Sequence, residues 1–205
     1  MTTTAQQHST YRNPYDSPFR WQLKDLVLVV VLGVVFGFVY WALVQAWNGL
    51  AIAMGPAGDL AQHFLFGGWL LVAPLAVAIT RKAGSGILAE IIAAAMEFVF
   101  LGSPAGPMLL IAAFLQGLGS ELPFAIGRYK KFGITRYAIS GFLGAFLVFW
   151  WSAIRSGWFG QEIFLLRLGI QGVSGILLGG ILAWVLVKAI QKTGVVDNYA
   201  IGRAQ

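Results

Sequence analysis

Long uninterrupted runs of apolar residues are the feature that most limits how this chain can fold. The first run begins at Leu26, continues to about Trp47 and contains no charged residue. A helix needs about 20 mostly apolar residues to cross the hydrocarbon core of a bilayer. Because a spanning segment must satisfy its backbone polar groups internally, this run predicts a transmembrane α-helix.

Further apolar segments follow the first, and together they predict an all-α, polytopic membrane protein built as a bundle of six transmembrane helices. The later helices are predicted over residues 64–80, 86–101, 108–124, 137–154 and 168–190. The third helix of the bundle, of about 16 residues, is short, so we expect it to borrow flanking residues or to lie partly within the bundle. The chain divides into a polar tail (1–24), a membrane domain (25–192) and a second tail (193–205).

Composition agrees with a membrane protein and excludes several kinds of site. Charged residues make up 11% of the chain and hydrophobic residues 58%, whereas soluble domains are roughly 25% charged. The sequence has no cysteine, which excludes disulfides and thiolate chemistry. It has no GxxxxGK[ST], HExxH or GxSxG motif, and His8 and His63 are too isolated to form a metal site. We interpret His63 as a loop or helix-end residue, and we expect no metal and no cofactor.

Basic residues mark one side of the membrane. Twelve of the fourteen lysines and arginines lie in the tails and the even-numbered loops, whereas Arg155 and Arg167 lie near the other face. Loops rich in Lys and Arg stay in the cytoplasm, so we expect both chain ends on the cytoplasmic side of the cell membrane. Attraction to anionic lipid accounts for the net charge of +6 without a nucleic-acid partner.

Three glutamates fall inside the predicted third and fourth helices. Glu90 and Glu97 are seven residues apart, so both carboxylates point to one helix face, and Glu121 lies on the fourth helix. A carboxylate at bilayer depth costs about 2.5–3.5 kcal/mol, so each should face the bundle interior or a wet cavity. The alternative for each is a structural role, in which it reaches the lipid headgroups from near a helix end or holds helices together by hydrogen bonds. Glu97 is the strongest binding candidate, because Gln116 on the fourth helix can approach it near the outer surface.

Aromatic residues are concentrated in the predicted outer half of the bundle. Most of the tryptophans are expected in the interfacial belt. Trp69 and Tyr40, however, lie inside the second and first helices and are better placed to line a pocket. Together with Glu97 they suggest an aromatic cage with one carboxylate, suited to a flat, nitrogen-rich ligand that can be cationic.

Glycines form close-packing patterns on two predicted helices. Gly33 and Gly37 give a small-xxx-small pattern on the first helix, and either an external partner or internal packing explains it. Gly172, Gly175 and Gly179 follow one face of the sixth helix, where we expect internal packing.

The stretch from residue 81 to residue 124 resembles the YkoE family, substrate-binding S components of energy-coupling factor (ECF) vitamin importers. The resemblance is carried by RK at 81 and 82, EIIAA from Glu90, the carboxylate Glu97, GSPAGP from Gly102 and QGLGSE from Gln116 to Glu121. Where this family usually has a polar or acidic residue before the second helix, this chain has Gln62 and His63. The resemblance implies a binding protein, not an enzyme, that captures a vitamin at the outer face. It further implies partners, namely a transmembrane coupling subunit and two ATPase subunits that drive release inward.

The ligand implied by the resemblance is thiamine or its hydroxymethylpyrimidine precursor. A carboxylate such as Glu97 can accept a hydrogen bond from the exocyclic amine of the pyrimidine while aromatic side chains stack on the ring. The predicted substrate site therefore comprises Glu97, Gln116, Tyr40, Trp69, Glu90 and Glu121, and the predicted partner interface comprises Gly33 and Gly37.

Two other functions remain open from the sequence. In a proton- or ion-coupled carrier, the three glutamates would form a relay. The lack of an evident inverted repeat argues weakly against a carrier. An intramembrane enzyme using paired glutamates is disfavoured, since the sequence supplies no nucleophile, metal site or adjacent glutamate pair.

Overall fold

The structure, a computed structural model, describes residues 17–103 and 106–204, and every regular element within these ranges is helical. Most of the predicted N-terminal tail, residues 1–16, lies outside the described residues. Helix α1 spans Leu23–Met54. It begins before the predicted Leu26 because the Asp25 carboxylate accepts the backbone N–H of Gln22 at 3.1 Å and so caps the first turn.

After α1 the chain reverses at Gly55, whose φ of +55° is readily adopted only by glycine. The return leg consists of a 3₁₀ turn (Gly55–Leu60), α2 (Ala61–Leu65), a second 3₁₀ turn (Phe66–Leu70) and α3 (Val72–Thr80). The backbone N–H of Val72 donates to the Tyr40 hydroxyl at 3.3 Å. Nearer the reversal, a Cβ placed on Gly58 would lie 2.4 Å from the Ala51 carbonyl oxygen. The return leg is therefore antiparallel to α1, and it begins before the predicted residue 64.

The remaining helices follow in the predicted order. They are α4 (Ser85–Ala95) with a π-helical turn (Met96–Phe100), α5 (Met108–Ile126), α6 (Ile134–Ser156), α7 (Phe164–Ser174), a π-helical segment (Gly175–Leu182), α8 (Ala183–Lys192) and a 3₁₀ turn (Gly202–Ala204). The last tract, Phe164–Lys192, is continuous and longer than the predicted 168–190.

Within the described residues, four helical stretches are long and apolar enough to cross a membrane. These are Leu23–Thr80, Met108–Ile126, Ile134–Ser156 and Phe164–Lys192. The first of them contains the reversal at Gly55 and so folds into two legs. The tract 85–100 is shorter than the other candidates, as expected for the third helix. The number of crossings and the side on which the ends lie stay predictions.

Glycines bring the later helices into backbone contact. A Cβ on Gly175 would lie 2.5 Å from the Gly141 carbonyl oxygen of α6, and one on Gly179 would lie 2.9 Å from Leu70 Cβ. Gly172 lies beside Phe142 of α6. The prediction that the glycines of the last helix serve internal packing is therefore confirmed.

Both described ends of the chain dock at one end of the bundle. The backbone N–H of Ala83 donates to the Pro18 carbonyl at 3.0 Å, and that of Ile201 donates to the Ile79 carbonyl at 3.3 Å. Val196 and Ile201 are buried in a core cluster with residues of α3, α5, α6 and α8. The described part of the predicted tail 193–205 therefore contributes to the core, because Val196 and Ile201 cover the ends of these helices.

Candidate functional site

A pocket of about 310 Å³ opens at the end of the bundle opposite the docked segments around Pro18 and Ile201. This volume lies at the lower end of the range of about 300–1,000 Å³ that is typical of small-molecule sites. Its walls come from the two legs of Leu23–Thr80, the end of the α4 tract and the loop after it, α5, and α6 with the loop after it. It is lined by Val44, Trp47, Gln62, Phe66, Trp69, Glu97, Ser103, Met108, Leu109, Ala112, Gln116, Val148, Trp151, Ser152, Arg155, Ser156 and Trp158.

Glu97 is the buried acidic group of this pocket. It lies in the π-helical turn that ends the α4 tract, and only 2% of its surface is exposed. π-helical turns often occur at functional sites. The Glu97 Oε2 atom has no hydrogen-bond partner among the described residues, nor does the nearby Ser103 Oγ. The Ser103 backbone N–H donates to the Glu97 carbonyl at 3.1 Å, which holds the two side chains at the same wall.

An unpaired buried carboxylate oxygen is costly, so its presence in a cavity points to a ligand. The group expected there is a hydrogen-bond donor, since an ionised carboxylate only accepts. Ser103 Oγ can donate or accept beside it. The pocket therefore suits a ligand that presents an amine or another N–H group to this wall.

Gln116 and Trp69 line the same pocket as Glu97. Gln116 projects from α5, whereas Trp69 lies in the second 3₁₀ turn, with its ring 6.5 Å from that of Phe66. The structure thus brings together three of the residues singled out in the sequence. An amide and two aromatic rings around one carboxylate match the recognition of a flat heterocycle.

The structure does not place Tyr40 and Glu90 in the lining of this pocket, contrary to the prediction. The Tyr40 hydroxyl donates to the Glu90 carboxylate, at 3.2 Å from Oε1 and 3.1 Å from Oε2. The Ala73 backbone N–H also donates to Glu90 Oε1 at 3.3 Å. Both side chains are buried between α1, α3 and α4, so the pair joins three helices instead of facing the cavity.

Glu121 is likewise a structural residue, which corrects its assignment to the substrate site. Its Oε1 accepts the Gly84 backbone N–H at 2.5 Å, and its Oε2 accepts those of Gly86 and Ile87 at 2.9 and 3.3 Å. The Tyr129 hydroxyl donates to Oε1 at 2.7 Å. The first N–H groups of a helix have no intrahelical partner and carry partial positive charge, so this carboxylate caps α4 from a neighbouring helix.

Gly33 and Gly37 face α4 of the same chain, so the prediction of a partner interface at these glycines is wrong. A Cβ on Gly33 would lie 2.6 Å from Ile92 Cγ2, and one on Gly37 would lie 2.4 Å from Met96 Cβ. Internal packing is therefore the alternative that the structure shows. The absence of a side chain lets α1 and α4 approach closely, with small residues at the contact.

Sequence reasoning missed most of the pocket mouth. Trp47, Trp151 and Trp158 line the pocket, although the sequence assigned them to the interfacial belt. Arg155 also lines it, from the last turn of α6. The sequence feature that could have predicted these residues is the cluster of tryptophans at the outer helix ends around Arg155, one of the two basic residues on that side.

A polar cluster next to Trp158 connects α7 and the loop after α6 to the return leg that follows α1. Arg167 Nε donates to Asp59 Oδ2 at 2.8 Å, and Nη1 donates to Gln161 Oε1. The Arg167 guanidinium lies 4.9 Å from the centroid of the Trp158 ring. These contacts hold Trp158 at the pocket wall.

His63 belongs to the same region and lies in the last turn of the short helix α2, which agrees with its interpretation as a helix-end residue. Its Nδ1 lies 2.7 Å from Gln171 Oε1, and its ring packs edge-on to Trp158 at 5.3 Å. Only 1% of its surface is exposed. The hydrogen bond to Gln171 satisfies Nδ1, and the packing against Trp158 buries the ring, so the tertiary contacts make this position a core position.

Comparison with known proteins places this architecture in a family. A family model for the permease component of ABC-type cobalt transport systems, ABC_cobalt, matches residues 24–147. Over 185 residues, the chain is 32% identical to a protein of Bacillus subtilis (strain 168) that is named as an HMP/thiamine permease, YkoE. That match covers 89% of this chain and 91% of the relative.

A solved structure, the crystal structure of an S component of an ECF transporter, shares the fold. It matches with a TM-score of 0.82 and 32% identity, and the match covers 90% of this chain and 92% of that one. The relatives are transport proteins and not enzymes, and permeases of this kind are multi-pass proteins of the cell membrane. The chain therefore belongs to the ABC_cobalt family of permease components and is an S component of the energy-coupling factor type.

Proposed function

We propose that this S component captures thiamine or its hydroxymethylpyrimidine precursor in the pocket around Glu97. The observation that carries the proposal is the buried Glu97 Oε2, which has no partner among the described residues and lies in a cavity also lined by Trp69 and Gln116. The name of the Bacillus subtilis relative supports the same ligand class.

The aminopyrimidine ring matches the chemistry of this wall. Its exocyclic amine donates to the Glu97 carboxylate, and its ring nitrogens accept from the Gln116 amide or the Ser103 hydroxyl. Trp69 and Phe66 provide apolar surface for the ring. A metal ion is a poorer match, since the described residues contain no group of three or more His, Cys, Asp or Glu side chains placed to hold one.

The proposed direction of transport is inward. We propose six crossings, with the two legs of Leu23–Thr80 and the short tract 85–100 counted separately and both ends in the cytoplasm. Two observations support this arrangement: the described ends dock together, and Arg155 and Arg167 lie at the pocket end, away from most of the basic residues. The pocket then faces outward and receives ligand from outside the cell.

Release inward requires partners in this proposal. The sequence has no Walker A motif, so the energy of ATP hydrolysis is supplied by two ATPase subunits through a transmembrane coupling subunit. A glutamate relay for ion-coupled transport is less well supported. Glu90 is bonded to Tyr40, and Glu121 caps α4, so the three carboxylates occupy separate environments.

Titration of the intrinsic fluorescence tests the ligand. Trp47, Trp69, Trp151 and Trp158 line the pocket, so ligand binding should change their emission in a saturable way. The protein is purified in lipid nanodiscs and titrated with hydroxymethylpyrimidine and with thiamine. The absence of a saturable response to either ligand, with helical content shown intact by circular dichroism, would refute the assignment of the ligand.

Glu97→Gln tests the site within this ligand assignment. Loss of a charge-assisted hydrogen bond of about 1–3 kcal/mol should weaken binding about 5- to 150-fold. Glu162→Gln is the matched control, because Glu162 is exposed and does not line the pocket. If both variants bind as tightly as the wild type, the site lies elsewhere.

A further inference from the structure

The pocket carries a carboxyl group and a guanidinium that do not pair with each other. Glu97 lies at the buried wall, whereas Arg155 is exposed in the last turn of α6, where it lines the mouth. The described residues form ion pairs between Lys82 and Asp25 and between Arg167 and Asp59, and neither involves the pocket charges. The pocket therefore offers a ligand a buried acceptor at Glu97 and an exposed cation at Arg155.

One of the tryptophans in the pocket lining, Trp158, already contacts a cation. The Arg167 guanidinium lies over the Trp158 ring at 4.9 Å, and the His63 ring packs against it at 5.3 Å. Arg167 is itself neutralised by Asp59, at 2.6 Å between Nη2 and Oδ2. The face of Trp158 that would otherwise attract a ligand cation thus already carries one, while the positive charge of Arg155 stays uncompensated by any described ion pair.

We infer that Arg155 determines specificity, so that the site prefers an aminopyrimidine whose outer substituent is neutral or anionic over one whose outer substituent is cationic. This inference rests on the proposed function, which places the exocyclic amine at Glu97. The hydroxymethyl group of hydroxymethylpyrimidine is on the ring carbon next to the amine, so with the amine at Glu97 and this edge of the ring toward the mouth, the group, or a phosphate ester of it, extends toward Arg155. The hydroxyls of Ser152 and Ser156 line the same part of the pocket and add donors for such a group.

Thiamine would place its thiazolium ring at this mouth. A cationic ring at about 6 Å from a guanidinium is repelled by it. At the dielectric constant of water this repulsion lowers the affinity about 3-fold, and in a partly desolvated site it lowers the affinity more than tenfold. A phosphate at the same position is attracted to a comparable degree, and its planar pairing with a guanidinium adds directional hydrogen bonds. Arg155 therefore discriminates between ligands that share the same pyrimidine.

The test compares three ligands on charge variants of Arg155. Dissociation constants for hydroxymethylpyrimidine, its monophosphate and thiamine are measured by calorimetry on nanodisc-embedded wild type, Arg155→Gln and Arg155→Glu. The wild type should prefer the two precursor ligands to thiamine. Arg155→Glu should shift the affinity ratio toward thiamine by about tenfold or more, since the charge changes by two units, and Arg155→Gln should give a smaller shift in the same direction.

Two controls separate charge from other effects. Arg155→Lys keeps the charge, so its preference should stay on the side of the precursors. Lys131→Glu makes the same charge reversal in the exposed loop between α5 and α6 and should leave the ratio at the wild-type value. An unchanged ratio in both Arg155→Glu and Arg155→Gln, with both proteins folded, would overturn the inference and leave the proposed function standing. No binding of any of the three ligands by the wild type would overturn the proposed function itself.

Discussion

Replacement of Glu121 by Gln should destabilise the protein without a matching loss of ligand affinity. The carboxylate receives four hydrogen bonds, two on each oxygen, from three backbone N–H groups at the start of α4 and from the Tyr129 hydroxyl. The Gln amide retains one accepting oxygen, and its NH₂ group would face the donors of the other pair. Because only 4% of Glu121 is exposed, water cannot replace the lost acceptor.

The magnitude follows from the two hydrogen bonds that are lost. Bonds to a charged group are worth about 1.5–3 kcal/mol each, so the expected destabilisation is about 3–6 kcal/mol. At about 2–4 °C per kcal/mol for a chain of this size, the midpoint of thermal unfolding should fall by about 6–24 °C. Tyr129→Phe removes a single donor and should cost about 1–3 kcal/mol. Burial, followed by the bond to Glu121, raises the pKa of Tyr129, so this hydroxyl remains a donor at neutral pH.

The assay is thermal unfolding followed by circular dichroism, combined with ligand titration well below the midpoint. Glu162→Gln is again the control, because it makes the same chemical change at an exposed position. A Glu121→Gln protein that melts within about 2 °C of the wild type but no longer binds ligand would refute the capping role. That result would return Glu121 to the substrate site.

The remaining predictions concern the contacts between α1 and its neighbours. Gly37→Leu should lower the unfolding midpoint and also abolish ligand binding, because its side chain would collide with Met96; a stable variant that still binds ligand would contradict the internal packing role. Tyr40→Phe should lower stability by about 1–3 kcal/mol, since Glu90 and the Val72 N–H each lose the hydroxyl. Its ligand affinity should stay within about threefold of the wild type, because Tyr40 lies outside the pocket lining; a larger loss measured by calorimetry would place Tyr40 back in the site.

Some of the site was accessible to sequence reasoning. Glu97 and Gln116 were placed together because helix periodicity and alternating chain direction bring residues near the ends of adjacent helices to the same depth. Trp69 was included because an aromatic residue well inside a predicted helix lies too deep for the interfacial belt, whereas one at a helix end belongs there. All three line the same pocket in the structure.

Other assignments failed for a shared reason. Glu90 and Glu97 lie on one helix face, yet Glu90 meets Tyr40 and the Ala73 N–H, whereas Glu97 Oε2 meets no described donor. The spacing of two residues in the sequence indicates that they share a helix face. It does not indicate which groups the neighbouring helices place beside each of them. The tryptophans of the mouth were missed similarly, since the composition of an interfacial belt and that of a pocket rim are alike.

The sequence by itself determined that this chain is helical, belongs in a membrane and carries its basic residues mostly toward one end of the bundle. These properties depend on local hydropathy and periodicity, which each segment possesses before it packs. Only the tertiary structure decided which buried glutamate keeps a carboxylate oxygen without a donor among the described residues. That outcome depends on whether a neighbouring helix brings a donor to each buried carboxylate, because a buried acceptor is satisfied by the fold or stays available to a ligand.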